Sequence, residues 1–94
     1  MNTKQQIQYK PVPEAVKVKK AFCVENEEYI LLFHYETQIL TYNKQTQEVE
    51  QIDPASITSA RAINQVNEYF SLGIDYKKEL KRLYNTTFAE HRWI

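Results

Sequence analysis

Ninety-four residues carry twelve basic and twelve acidic side chains, which leaves room for one hydrophobic core and no global attraction to nucleic acid or an acidic membrane. The only cysteine, Cys23, excludes an intramolecular disulfide or a multi-cysteine zinc site, and a single glycine excludes a glycine-rich phosphate loop. The first residues lack the apolar run of a secretory signal and no stretch is apolar over the length of a bilayer, so a cytoplasmic protein without a membrane partner is expected.

Residues 1–14 are polar, and Pro11 and Pro13 predict an extended arm, loose or lying at a sheet edge. From Ala15 to Val24 the alternation of Val16, Val18, Phe22 and Val24 against Lys17 and Lys19 predicts a half-exposed strand. Glu25-Asn26-Glu27 has turn chemistry, since asparagine tolerates positive φ, and joins it to the next stretch as a hairpin. Tyr29 to Tyr42 holds no Gly or Pro and is dense in aromatic and β-branched residues, so it is read as the centre of the sheet. Its odd positions, Leu31, Phe33 and Ile39 among them, suit one face, and a bend near Tyr35 to Thr37 fits the polar turn of the even positions at His34, Glu36 and Gln38. After Asn43-Lys44-Gln45-Thr46, a short strand over 47–52 is carried by Val49 and Ile52.

Asp53-Pro54 ends the sheet. The first helix is capped by Asp53 or by Thr58, with Thr58 favoured, and lays Ile63, Val66 and Phe70 on the sheet, flanked by Ala62 and Tyr69. Gly73 is placed to end it in a left-handed conformation. Asp75 then caps a second helix with Tyr76, Leu80, Leu83 and Thr87 or Phe88 on its buried side. The expected fold is therefore one α+β domain over 1–94: an arm (1–14), an antiparallel sheet of three or four strands (15–52), and two C-terminal helices (54–92) packed on one face.

Charge is segregated despite the zero total: the ends of the chain are basic and its middle is acidic. The acidic turns at Glu25, Glu27, Glu28, Glu48 and Glu50 can steer a basic partner protein, and Tyr9, Tyr84 and Trp93 offer contact area with a polar handle. As an alternative, Arg61 and the basic face of the second helix, Lys77, Lys78, Lys81 and Arg82, can contact nucleic acid, with Gly73-Ile74-Asp75 as the turn of a helix-turn-helix. Bulky Tyr69, four before the glycine, and Glu79, six after it, depart from that motif. His34 and His91 sit in no metal-spaced cluster or nucleophile motif, so an enzyme, a metal or a cofactor is not expected, and His34 and Cys23 read as structural residues.

The segment Phe33-His-Tyr-Glu-Thr-Gln-Ile-Leu-Thr-Tyr-Asn-Lys-Gln-Thr, with the later Ser56-Ile-Thr-Ser-Ala-Arg-Ala-Ile-Asn-Gln-Val, resembles short uncharacterised proteins carried by bacteriophages and plasmids. They share a Tyr-x-Thr-x-Ile strand, a Ser-x-Thr-Ser/Thr helix start and an Asn on the helix. A histidine common there after the Thr-Ser pair is absent here, where Arg61 and Ala62 stand. The hydroxyls of Ser56, Thr58 and Ser59 read physically as helix caps, with a small anion site as the alternative. The resemblance implies a small non-enzymatic phage or mobile-element protein that binds and inhibits a host protein or a protein-nucleic acid defence complex, anti-CRISPR activity being one form. The runner-up is a small DNA-binding transcriptional regulator.

Overall fold

The computed structural model describes residues 8–53 and 56–84. In chain order they form β1 (Lys10–Pro11), a 3-10 turn (Pro13–Ala15), β2 (Ala21–Glu25), β3 (Tyr29–His34), β4 (Thr37–Asn43), β5 (Glu48–Ile52), α1 (Ile57–Phe70) and α2 (Tyr76–Tyr84). Each strand pairs antiparallel with the next, so the sheet is a five-stranded meander followed by two helices, an α+β fold. The strand beyond the three or four expected is β1, which the arm adds at the edge, where its proline costs no ladder bond. No helix among the described residues is long and apolar enough to cross a membrane.

The arm is more than an edge. Val12, Ala15 and Val16 are buried in the core, the Val12 amide donates to the Cys23 carbonyl at 2.8 Å, and Tyr69 of α1 hydrogen-bonds Glu14 at 3.2 Å. Consequently β2 starts at Ala21, later than the alternation predicted, because Lys20 takes a positive φ of 67° and breaks the extended run. The face is also reversed. Cys23 is the β2 residue turned to the core, while Phe22 is 49 % exposed and Val24 is half-buried.

The long central stretch is a hairpin rather than one bent strand. Tyr35 and Glu36 both adopt positive φ, 54° and 70°, as a two-residue turn with the twist of its strands requires. Neither Gly nor Asn announces it, although a left-handed residue of other types costs about 1–2 kcal/mol. Past the turn the alternation slips: Phe33 pairs with Gln38 and Leu32 with Leu40, leaving Ile39 as the extra residue of a bulge. The slip buries Ile39 and Leu40 together, while Leu31 and Phe33 lie on the side opposite the core because they alternate with buried Ile30, Leu32 and His34 on β3. The outer turns work through side-chain acceptors. Asn26 Oδ1 takes the amides of Glu28 and Tyr29 at 2.8 and 2.7 Å, and Asn43 Oδ1 takes those of Gln45 and Thr46, with positive φ passed on to Gln47.

Ser56 caps α1, in place of Thr58 or Asp53, its Oγ accepting the Ser59 amide at 3.0 Å. From there Ala62, Ile63 and Val66 reach the core as the stripe predicted, whereas Tyr69 stays 47 % exposed. The left-handed residue that ends α1 is Ser71, and Gly73 supplies a second positive φ two residues on. Between the helices Asn67 clasps Ile74 twice, donating to its carbonyl and accepting its amide, both at 2.9 Å. Asp75 caps α2 through the Lys78 amide, and Leu80 is buried with Leu83 packed beside it. Pro54, Thr87 and Phe88 lie outside the described residues, as does the side chain of Tyr76. Both helices lie over Cys23, Ile30, Leu32, Leu40 and Ile52, leaving the other face of the sheet without a covering element among the described residues.

Candidate functional site

The meander brings the β2-β3 turn, the β4-β5 turn and the start of β1 to one end of the sheet. Asn43 pairs with both Tyr29 and Glu48, and Lys10 pairs with Glu25, which fixes that end in register. Lys44 then stitches the two turns: its ammonium donates to Glu25 Oε1 at 3.0 Å and to the Asn26 carbonyl at 2.8 Å, and its amide donates to the Glu28 carbonyl at 2.7 Å. Five carboxylates, Glu25, Glu27, Glu28, Glu48 and Glu50, thus gather against the two ammonium groups of Lys10 and Lys44. The end is acidic.

Within this group Glu25 is half-buried and spent on Lys44, while Glu27, Glu48 and Glu50 are exposed. Asn43 Nδ2 holds Glu50 at 2.9 Å, and the carboxylate faces the Tyr29 phenol. The Tyr29 pKa is raised, first by partial desolvation and then by the charges of Glu50 and Glu28, and Tyr9 stands close enough to add to it. The phenol is therefore neutral and available as a donor beside an acidic rim. Tyr9, 42 % exposed, completes the aromatic part.

Of the residues nominated for a protein partner, Tyr9, Glu25, Glu27, Glu28, Glu48 and Glu50 are brought together. Tyr84 is not, since its hydroxyl lies 3.3 Å from the Ile52 amide at the far end of β5. Trp93 lies outside the described residues. The nucleic-acid candidates divide as well. Arg61, Lys77, Lys78 and Lys81 are exposed, but Arg82 is occupied, with Nε and Nη2 on Glu79 at 2.8 and 2.6 Å and Nη2 on the Val49 carbonyl at 2.6 Å. It braces α2 against the outer edge of β5.

The face without helices continues from the acidic end and escaped the sequence reading. Phe22 and Phe33 stack with ring centroids 5.0 Å apart, and Val24 pairs with Leu31 beside them. Toward β5 the same face becomes polar, where Gln38, Thr41 and Gln51 satisfy one another. The available signal was the apolar residues in both parities of 29–33.

His34 also differs from an ordinary strand residue. It is buried, its Nδ1 lies 2.8 Å from Ser59 Oγ, and Ser59 Oγ is 3.2 Å from Ser56 Oγ. The pair has the composition of a nucleophile and base. Both partners are enclosed, however, so its evident effect is to tie the start of α1 to the end of β3. His34 Nε2 has no hydrogen-bond partner among the described residues. Nor, among those residues, do three His, Cys, Asp or Glu side chains converge to hold a metal ion. Cys23 is buried and its thiol is pushed up to about 12, chiefly by desolvation and then by Glu25, which keeps it protonated. Comparison with known proteins finds no family model, no curated protein and no solved structure that matches this chain.

Proposed function

We propose that this chain is a non-enzymatic binding protein that engages a basic surface of another protein, or of a protein-nucleic acid complex, through the acidic end of its sheet. The observation that carries the reading is the convergence there of Glu27, Glu28, Glu48 and Glu50 with Tyr9 and Tyr29, from three separate segments, with few cations among them. A clustered negative field raises association rates with a basic partner, and phenols beside it supply contact area and donors. The finer reading, a phage or mobile-element inhibitor of a host defence complex, is supported by the resemblance of the hairpin and of the Ser56 helix start. In a pull-down from host lysate, the wild-type chain should retain a stoichiometric partner that a quadruple E27Q/E28Q/E48Q/E50Q variant releases. A partner held equally by both, or none at all, would remove the acidic end from consideration.

The DNA-binding alternative has Arg61, Lys77, Lys78 and Lys81 in its favour, all exposed on the helices. The loss of Arg82 to Glu79 and Val49 weakens it. Duplex binding in a gel shift that declines steeply with salt would support it, and no shift at low salt would end it.

A further inference from the structure

The helix-free face of the sheet is split into halves of opposite character. Over β4 and β5, Gln38, Thr41 and Gln51 form a closed hydrogen-bonded set. Over β2 and β3, Phe22, Val24, Leu31 and Phe33 lie side by side by register, and none of them belongs to the core or packs against it. Among the described residues Phe22 stacks on Phe33 and Val24 pairs with Leu31. Apolar side chains contiguous in this way on one face of a small domain mark an interaction surface more often than solvent-facing decoration.

Charge identifies the occupant. Along β2 and β3 this face runs from the acidic turn at Glu27 and Glu28, past Tyr9 and Tyr29, then Val24 and Leu31, then Phe22 and Phe33, to Lys20 at the opposite end. Lys19, also exposed, adds a second positive charge next to it. The order is acidic, aromatic, aliphatic, aromatic and then a net positive end, where Lys19 and Lys20 outnumber the single carboxylate of Glu36. Such a strip is complementary to itself when reversed. We propose that two copies of this chain pack through this face about a two-fold axis that crosses the strands at the Val24 and Leu31 row. The axis sets Tyr29 of one copy over Phe33 of the other, and Lys20 over the turn carrying Glu27 and Glu28. The shallow depression lined by Lys20, Ala21, Phe22, Tyr35 and Glu36 then receives the other copy's Tyr9. An axis parallel to the strands through the same strip would instead lay the Glu27 and Glu28 turn of one copy on that of the other, like charge on like charge. Electrostatics therefore chooses the orientation, and the aromatic and aliphatic rows supply the buried centre, in the aligned manner of two sheets about 10 Å apart. The strip shares Tyr9, Tyr29, Glu27 and Glu28 with the acidic end, so the dimer and a basic partner compete for these residues, and a measurement on the chain alone reads the dimer separately from that partner.

Sedimentation equilibrium on the full chain, from low micromolar to several hundred micromolar, tests this. The wild type should pass from monomer to dimer, and Phe22→Lys should raise the dissociation constant tenfold or more while the far-UV circular dichroism is unchanged. Lys20→Glu should weaken the dimer likewise, and Lys20→Glu combined with E27K/E28K should restore it. The charge swap lies on exposed turns, so it remains informative if Phe22→Lys fails to fold. A wild type that stays monomeric throughout, or a dimer indifferent to Phe22→Lys and to the charge reversal, would overturn the proposal.

Discussion

Beneath the helices Leu32, Leu40 and Ile52 are wholly buried, while one residue away along the strands Phe22 is exposed and Leu31 and Phe33 are half-buried, on a face that no described element covers. Over β2 and β3 the two faces are made of similar apolar side chains. What separates them is the direction in which the chain turns back after Ile52, because α1 and α2 can shield one side of a single sheet and not both. Apolar content therefore reports what a strand can bury, and the connection reports what it does bury. The uncovered face is then a surface with a composition of its own, bounded by the acid-rich end.

The largest test of that contrast is a pair of truncations in adjacent residues of β3. Leu32→Ala should lower unfolding stability by about 2–5 kcal/mol, since it opens a cavity in a closed core. Leu31→Ala on the open face should cost only about 1 kcal/mol, because little water-excluded area is lost. Denaturant titration of both, measured at a concentration where the chain is monomeric, compares them, and equal losses would abolish the distinction between faces.

Thiol reactivity separates the same faces at β2. With its pKa near 12, the Cys23 thiol holds about a thousandfold less thiolate than a free thiol of pKa 9.0, so a disulfide reagent at pH 8 should leave it untouched until the chain unfolds. Phe22→Cys in a Cys23→Ala background should react at once. The sign for stability follows from the raised value: the native state keeps its proton more tightly, so this contribution is complete below pH 9 and is lost as pH climbs toward 12.

On the covered side, the polar seam between His34 and Ser59 is the next effect. Ser59→Ala leaves the imidazole Nδ1 buried without its hydroxyl, which should cost about 1–3 kcal/mol in thermal or chemical unfolding. The smallest change belongs to the acidic margin. E48Q/E50Q should move stability by under about 0.5 kcal/mol, as exposed surface charges do, while weakening binding to a basic partner and flattening its salt dependence.

Several features were legible before any coordinates. The end of the sheet at Asp53, the Ile63 and Val66 stripe, the Asp75 cap and the turn at Asn43 are local, and each follows from a proline next in the chain, from a side chain that satisfies nearby amides or from a 3.6-residue period. The acidic turns were nominated from charge alone, and the meander then made them one cluster. Other features were invisible for equally physical reasons. Tyr35 and Glu36 carry no sign of left-handed backbone, so the hairpin looked like a bend, and the Ile39 bulge reversed a parity that alternation alone would have continued. Arg82 was read as a free cation because its partners, Glu79 and the Val49 carbonyl, meet it only when α2 reaches β5.

By itself the order of residues determined the class of the fold, the order of its elements and most of their stops, since these depend on torsional preference and on polar groups a few positions apart. Tertiary structure alone decided which side of the strands is shielded, which Glu is neutralised and where Phe22 and Phe33 meet, because those outcomes depend on segments far apart in the chain competing for one surface.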